Sequence, residues 1–231
     1  MKRSEINAIM AEADDFMRSH GFRLPPFAYW TPESWRARGA EVREIAERRL
    51  GWDITDYGTG DFAKIGLFLF TLRNGDPAAL TTGKGKAYAE KLLISDEKQV
   101  APMHFHKVKT EDIINRGGGD LAIQLYNSTP DGKLDDTPVT QSLDGIERTF
   151  KAGEVVILKP GESITLTPGV YHAFWGERAR VLIGEVSSVN DDATDNFFLD
   201  PIGRFPTVEE DVAPLHLLVS DYDAYYRGWA R

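Results

Sequence analysis

Cysteine is absent from the 231-residue chain, and long apolar runs are absent as well. The missing cysteine excludes disulfides, zinc–thiolate sites and a thiol nucleophile. The longest apolar runs, such as GLFLF at residues 66–70, fall far short of the ~20 residues that a membrane-spanning helix needs. The start, MKRSEINAIMAEADDF, has acidic residues where a signal peptide needs an unbroken apolar stretch. We therefore expect a cytoplasmic protein with no membrane partner.

Positive charge is also scarce. Lys and Arg number 27 against 36 Asp and Glu, which gives a formal net charge of −9, and no run of basic residues offsets it. An anionic surface would repel such a chain, so we expect no nucleic-acid partner. The rest of the composition is ordinary for a globular protein, and 231 residues favour one domain with elaborations over two ordinary domains.

The N-terminal quarter has helical patterns. Residues 4–20 predict an amphipathic helix, because apolar residues recur at helical spacing, Ser4 can cap the start and Gly21 can end it. A second helix is predicted over residues 31–50, with proline at its first helical position. Two helices alone would bury too little surface to stand independently, so we interpret residues 1–58 as a helical cap packed on the rest of the chain.

The remainder has strand patterns. Short β-type runs are separated by Gly, Pro, Asn and Asp, namely KIGLFLFTLRNGD, KAYAEKLLIS, QVAPMHFHKV, LAIQLYN, EVVILKPGE, SITLTPGVYHAFW, RVLIGEVSSV and LHLLVSDYD. Helices followed by many short strands predict an α+β chain with a β-barrel or β-sandwich body. We expect residues 1–231 to form a single domain.

Two of the five histidines stand two residues apart in MHFHKVKTE, residues 103–111. In a strand, His104 and His106 project from the same face, which makes half of a metal site. Glu111 can add a carboxylate oxygen, and His172 follows a Pro-Gly turn that can aim it into a barrel. Three imidazoles and one carboxylate suit Mn, Fe, Co, Ni or Zn, and the set alone does not choose among them.

A structural interpretation competes with the metal site. His104 and His106 could lie on a solvated strand face, with Glu111 in a turn. We interpret the remaining two histidines as structural. His20 lies near a predicted helix C-terminus, where a cation is favoured, and His216 lies in an apolar run predicted as a strand.

The metal-site residues resemble the two motifs of the cupin superfamily. HFH at 104–106, followed by Glu111 and Gly118, resembles the first motif. Pro168, Gly169 and His172 resemble the second, although the proline and glycine are adjacent here instead of separated by one residue. The resemblance implies a mainly β fold with N-terminal helices, in which a double-stranded β-helix barrel of the jelly-roll type holds the site.

Longer stretches resemble the D-lyxose isomerase family of cupins, from about residue 4 to 222. They are the N-terminal helical region, KAYAEKLLISDEKQVAPMHFHKVKTEDIINRGGG, PGVYHAFW and GEVSSVNDDATDNFF. The resemblance implies a metal-dependent isomerase that interconverts D-lyxose with D-xylulose and also D-mannose with D-fructose. It implies one divalent ion per chain, Mn²⁺ first and Zn²⁺, Co²⁺, Fe²⁺ or Ni²⁺ as alternatives, with the ligands His104, His106, Glu111 and His172. Cupin barrels often bury an outer face against a second copy, so a homodimer is expected.

An aldose–ketose isomerase needs a base and an electrophile, since one proton moves between C1 and C2. Glu185 lies among apolar residues in VLIGEVS, where burial should raise its pKa toward the useful range, and we predict that it is the base. Glu111 is the competing base, although metal binding would lower its basicity. Lys91 and Lys109 are predicted to contact the sugar, with Lys109 in a catalytic role. Asp195, in NDDATDNFF, is predicted as a further sugar contact.

Two other functions fit the same residues. A site of three histidines and one glutamate also suits a cupin oxygenase or oxidase, which would consume dioxygen. A sugar-binding cupin without catalysis would use the metal solely to orient its ligand.

Overall fold

The computed structural model describes residues 1–229, apart from the side chain of Leu80. Within that range the named strands pair antiparallel in one twelve-stranded sheet. The strands are β1 (Gly51–Thr55), β2 (Leu67–Arg73), β3 (Tyr88–Ser95), β4 (Val100–Phe105), β5 (Glu111–Ser128), β6 (Leu134–Asp135), β7 (Val139–Leu143), β8 (Ile146–Phe150), β9 (Val155–Leu158), β10 (Ser163–Leu166), β11 (Val170–Ser188) and β12 (Phe197–Phe198). The helices are α1 (Arg3–Ser19), α2 (Pro32–Arg36), α3 (Arg43–Glu47), α4 (Ala79–Thr82) and α5 (Tyr222–Tyr225), with 3₁₀ turns at Pro26–Tyr29, Ala40–Val42 and Val219–Asp221. The predicted mainly β architecture with a helical start is confirmed.

Two long strands organise the sheet. The first half of β11 pairs with β4 and with the second half of β5, whereas its second half pairs with β3 and the first half of β5. The register of the β5–β11 pair shifts beside Gly118. This glycine has φ +92, and a Cβ there would lie 2.2 Å from the carbonyl oxygen of Arg180, so a side chain does not fit. On either side of this shift, β5 and β11 pair with different strands: β10 and β3 on one side, and β9 and β4 on the other.

Residues of β2 show how the two cores form. Leu67 and Leu69 belong to the barrel interior, while Phe68 and Phe70 belong to a second cluster outside it. The second cluster also holds Ile6, Met10, Ala13 and Met17, the buried face of α1. Successive strand residues point to opposite faces, so the continuous apolar run LFLF reflects burial on both faces.

The first predicted helix is confirmed with a different start. Helix α1 begins at Arg3, and the Ser4 hydroxyl does not cap it but donates to Asp211 Oδ2 at 2.6 Å. The helix ends before Gly21, whose φ of +81 is the left-handed conformation that favours glycine. Among residues 1–229, no helix combines the length and the hydropathy needed to cross a bilayer.

The prediction of one continuous second helix was wrong. Residues 31–50 contain α2, a 3₁₀ turn and α3 instead, because Gly39 has an extended backbone (φ −103, ψ −147) that interrupts the helical hydrogen bonds. Residues 1–58 are not helical throughout either, since β1 (Gly51–Thr55) pairs with β2 as part of the sheet. The predicted strand LHLLVSDYD is a bend followed by the 3₁₀ turn Val219–Asp221. The single-domain organisation of the whole chain stays a prediction.

Candidate metal centre and active site

Three histidines meet at one end of the barrel. His104 near the end of β4 is paired with His172 on β11, and His106 follows β4 directly. Their ring centroids are 4.2 Å apart for His104 and His172, and 5.1 Å apart for His104 and His106. One ring nitrogen from each lies within 4.8 Å of the other two. Glu111 Oε1 completes the group, 3.4 Å from His106 Nε2 and 3.1 Å from His172 Nε2.

Backbone carbonyl groups fix the tautomer of each imidazole. Nδ1 of His104 lies 2.8 Å from the carbonyl oxygen of Pro102, and Nδ1 of His172 lies 3.1 Å from that of Val170. Nδ1 of His106 contacts a carbonyl oxygen as well. A carbonyl oxygen can only accept, so each Nδ1 carries the proton and each Nε2 presents a lone pair to the cluster. Burial, followed by the two neighbouring imidazoles, lowers the pKa of His104 well below its ordinary value, which keeps the ring neutral.

The donor atoms fit a metal ion. His106 Nε2, His172 Nε2 and Glu111 Oε1 are buried and have no hydrogen-bond partner among the described residues. They lie at hydrogen-bonding distances from one another, but the Nε2 atoms have no proton to donate, so lone pairs face lone pairs. Buried acceptors in this arrangement are costly unless a cation lies between them. The group could therefore bind a metal ion, as the spacing of the histidines predicted.

Beside the imidazoles, two lysines enclose two carboxylates. Lys109 Nζ lies 2.6 Å from Glu111 Oε2 and 3.0 Å from Glu185 Oε1, while Lys91 Nζ lies 3.6 Å from the same Glu185 oxygen. All four side chains are 4% exposed or less. Burial opposes the charge of Lys109, but Glu111 and Glu185 raise its pKa above the ordinary value. Burial likewise opposes the charge of Glu111, yet the ammonium group of Lys109 lowers its pKa well below the usual range. Both groups are therefore charged at neutral pH.

Strand register places the lysine beside the glutamate. Lys91 on β3 is paired with Glu185 on β11, and Glu185 is paired with Ile113 on β5. Glu111 is two residues before Ile113 and so lies on the same face of β5. The structure thus brings together seven of the eight residues predicted for the site, namely His104, His106, Glu111, His172, Glu185, Lys91 and Lys109.

The carboxylate of Asp195, which was predicted to contact the sugar, lies against the backbone between β4 and β5. Its carboxylate accepts backbone N–H bonds from Lys107 at 2.8 Å and Lys109 at 2.9 Å, with a further contact to Val108. Its carbonyl oxygen accepts from His106 Nδ1. With its carboxylate saturated by backbone donors, Asp195 holds the connection between β4 and β5 instead of facing the cavity.

Sequence reasoning missed three charged residues. Asp192 Oδ1 lies 3.4 Å from Lys91 Nζ, and Asp192 Oδ2 lies 3.4 Å from Arg204 Nη2. The same Nη2 lies 2.7 Å from Asp53 Oδ2. Burial opposes the charge of Asp192, but Lys91 and Arg204 lower its pKa well below the ordinary value. Arg204 Nη1 is buried with no partner among the described residues.

The sequence around Asp53 alternates between polar and apolar residues, but this pattern indicated a solvent-exposed face and not the interior of a barrel. Asp53 and Thr55 alternate with Trp52 and Ile54, a pattern typical of a strand with one solvated face. In a closed barrel that polar face points inward, so the same alternation describes an active-site wall. Arg204 gave no signal, since it lies in a segment without regular structure.

These side chains line a cavity that we call the inner cavity, of ≈ 30 Å³. That volume holds about one or two water molecules. Polar groups of His104, Lys91, Lys109, Glu111, Glu185 and Arg204 line it. Its apolar wall comes from Tyr57, Leu67, Leu69, Phe174 and Phe198. The inner cavity therefore combines a metal-binding corner, charged donors and acceptors, and an apolar surface.

The remaining histidines lie outside this group. His216 stacks on Trp52 with ring centroids 5.8 Å apart and planes at 11°, and His20 packs edge-on against Phe16 at 4.4 Å. Both make packing contacts, as predicted, although His216 is not in a strand.

Known proteins are similar to this chain in sequence. A family model described as D-lyxose isomerase matches residues 1–222. The D-lyxose/D-mannose isomerase of Serratia proteamaculans is 48% identical over 225 residues, which are 96% of this chain and 98% of that protein. The protein of the same description from Escherichia coli O157:H7 is 45% identical over 225 residues, with the same coverage of both chains.

A solved structure shares the fold. The L-ribose isomerase of Acinetobacter sp. DL28, solved in complex with L-ribose, aligns with a TM-score of 0.60 at 15% identity and covers 90% of this chain and 98% of that one. At that identity the likeness shows the fold alone. The predicted cupin barrel is confirmed.

Proposed function

This chain belongs to the D-lyxose isomerase family and is an aldose–ketose isomerase, and we propose that it converts D-lyxose to D-xylulose and D-mannose to D-fructose. The descriptions of the two similar relatives support these substrates. The observation that carries the proposal is a buried carboxylate, Glu185, placed between two ammonium groups in the cavity that also holds the histidines. Family membership favours isomerisation over the oxygenase, oxidase and sugar-binding alternatives.

Glu185 is the proton carrier in this proposal. Its carboxylate removes the C2 proton of the aldose and returns it to C1, through a cis-enediol, while the proton of the O2 hydroxyl passes to O1. Lys109 and Lys91 fix the carboxylate and supply donors where negative charge develops on O1 and O2. A divalent ion held by His104, His106, Glu111 and His172 would supply Lewis-acid polarisation of the sugar carbonyl.

Glu111 is assigned to the metal instead of to proton transfer. One of its oxygens faces the imidazoles and the other is held by Lys109 at 2.6 Å. Its pKa lies well below the usual range because the ammonium group of Lys109 outweighs the effect of burial. A weakly basic carboxylate with both oxygens engaged is a better ligand than base.

Asp192 and Arg204 are assigned to the hydroxyl groups distant from the carbonyl, with the apolar wall against the carbon chain. The unpartnered Nη1 of Arg204 supports this role, because a sugar oxygen would satisfy it. Asp195 acts through His106 and the backbone of Lys109 and is a positioning residue.

Three finer assignments stay predictions: Mn²⁺ as the native ion, a homodimer and a cytoplasmic location. The donor set of imidazole nitrogen and carboxylate oxygen supports a first-row divalent ion without selecting one.

The test is an anaerobic assay of the metal-loaded protein with D-lyxose and with D-mannose in D₂O. The proposal expects D-xylulose and D-fructose, with one solvent deuterium incorporated at C1 when the base exchanges with solvent. Product formation that requires dioxygen, or the absence of any ketose, would contradict it.

A further inference from the structure

A second and larger cavity adjoins the inner one. This outer chamber has a volume of ≈ 470 Å³, within the usual range for pockets that hold small molecules. Its wall includes Asp53, Thr71, Asn74, Asn190, Asp192 and Phe205. The inner cavity, at ≈ 30 Å³, has no room for a sugar ring without side-chain movement.

A single layer of side chains separates the two spaces. Asp192 lines both of them. Asp53 lines the outer chamber and Arg204 lines the inner cavity, and the two are joined by the 2.7 Å ion pair. Arg204 also contacts Asp192 at 3.4 Å. A molecule in the outer chamber therefore lies directly against the groups that close the inner cavity.

The wall of the outer chamber combines buried polar groups with one aromatic ring. Asp53, Thr71 and Asn74 are 5%, 5% and 7% exposed, although each is polar. Phe205 is 43% exposed, and its ring lies 5.0 Å from the Arg204 guanidinium carbon. A cyclic sugar presents hydroxyl groups at its edge and C–H groups on its face, so hydrogen-bonding groups beside a ring complement it.

The charges of the outer chamber suit a neutral ligand. Arg48 is paired with Asp76, and Arg49 is paired with Asp223 and with the carbonyl oxygen of Val219. Because both guanidinium groups are neutralised by carboxylates, they are poorly suited to hold a phosphate dianion. A free sugar fits this surface better than a sugar phosphate.

We propose that the outer chamber is a second sugar-binding site, which takes the cyclic pyranose before the open-chain sugar reaches the inner cavity. Aldoses in water are mainly cyclic, whereas proton transfer between C1 and C2 needs the open-chain carbonyl. Two adjoining sites divide these tasks, and the pairs that Arg204 makes with Asp53 and Asp192 form the partition between them. The identity of the sugar rests on the proposed function, whereas the site itself rests on the cavity.

A locked pyranose tests the site. Methyl α-D-lyxopyranoside cannot open its ring and cannot be isomerised, so it reports ring binding alone. Saturation-transfer NMR and calorimetric titration should detect it with equal affinity in metal-loaded and in chelator-treated protein. Binding that requires the metal ion, or no binding at all, would overturn the proposal.

Variants at Phe205 locate the binding. Phe205→Ala should weaken glycoside binding roughly threefold to tenfold by removing the ring face, whereas Phe205→Tyr should retain it. Ile146→Ala, which truncates an exposed apolar residue on β8, is the matched control and should leave the affinity unchanged. The melting temperature of each variant verifies folding. An equal affinity for Phe205→Ala and wild type would place the glycoside elsewhere and overturn the assignment.

The result is separable from the isomerase assay. Glycoside binding without ketose formation would refute the proposed reaction and leave the second site standing. Ketose formation without glycoside binding would do the reverse.

Discussion

Asp195 accepts a hydrogen bond from Nδ1 of His106 on its backbone carbonyl oxygen, across 89 positions of sequence. Its carboxylate holds the backbone of Lys107 and Lys109 at the same time. One residue of the loop before β12 thus orients a metal-binding histidine and the segment that carries a site lysine. The loop that holds Asp192 and the metal centre are therefore mechanically connected.

Asp195→Ala should weaken metal binding. Removal of the carboxylate frees the backbone of residues 107–109 and loosens the orientation of His106, so we expect a loss of about 10-fold to 100-fold in metal affinity. Competition with a chelating dye measures it, and activity should recover at high metal concentration. Asp131→Ala, which removes an exposed carboxylate paired with Lys133, is the control. Unchanged metal affinity in Asp195→Ala would disprove the positioning role.

Glu185→Gln should reduce turnover by at least ~10²-fold, because an amide cannot carry the proton. Metal content should stay unchanged, since Glu185 lies against the lysines and not against the imidazoles. Steady-state kinetics and metal analysis check both. Glu177→Gln makes the same change on the same strand, at a carboxylate paired with Lys98 outside the cavity, and should retain activity. Normal turnover of Glu185→Gln would assign the base elsewhere.

Chelation should abolish activity and lower the melting temperature, and Mn²⁺ should restore both. Without a cation, the lone pairs of His106, His172 and Glu111 face one another in a buried site. When the free ion concentration is 100 times the dissociation constant, binding adds about 2.7 kcal/mol to the free energy of unfolding. In His104→Ala, the chelator should produce a much smaller shift. Full activity after exhaustive metal removal would exclude the metal mechanism.

Arg204→Lys should lower kcat/KM chiefly through a higher KM. Lysine keeps the charge but loses the planar fork that contacts Asp53 and Asp192 together. A hydrogen bond to a charged group contributes about 1.5–3 kcal/mol, so we expect a roughly 10-fold to 100-fold loss of kcat/KM. Arg178→Lys, which changes an exposed guanidinium group paired with Asp120 outside the cavity, is the control. A fall in kcat at constant KM would argue against substrate binding by Arg204.

His216 should make the fold less stable in mild acid. Burial lowers the pKa of His216 below its ordinary value of 6.5. The unfolded chain therefore takes up a proton near pH 6.5 that the folded chain refuses, and stability declines as the pH falls through that value. Replacement by glutamine should flatten this decline, because glutamine takes up no proton in either state. Urea unfolding at pH 7.5 and 5.5 measures it, and identical slopes for His216→Gln and wild type would refute the prediction.

Local patterns predicted α1 and most strands because a periodic apolar face is a local property. They failed for residues 31–50, where the buried Trp35 packs on Tyr222 and Tyr226 from the far end of the chain. They failed again for LHLLVSDYD. Its Leu217, Leu218 and Val219 are buried, but an isolated bridge between Leu218 and Trp52 takes the place of a strand. Burial in these segments comes from distant partners, and apolar content alone does not specify a strand.

Local sequence was enough to predict the candidate metal ligands and the candidate base. His104, His106 and Glu111 lie within eight residues, and strand geometry makes the two imidazoles neighbours wherever the strand is placed. Only long-range packing selects the acidic residue of this loop that lines the inner cavity. Asp192 and Asp195 are three positions apart with similar surroundings in sequence, yet one meets Lys91 and Arg204 while the other is saturated by backbone N–H groups. The partners that distinguish Asp192 from Asp195 lie 12 or more residues away in sequence. The position of each carboxylate therefore depends on closure of the barrel, which brings Asp53, Lys91 and Arg204 to one wall.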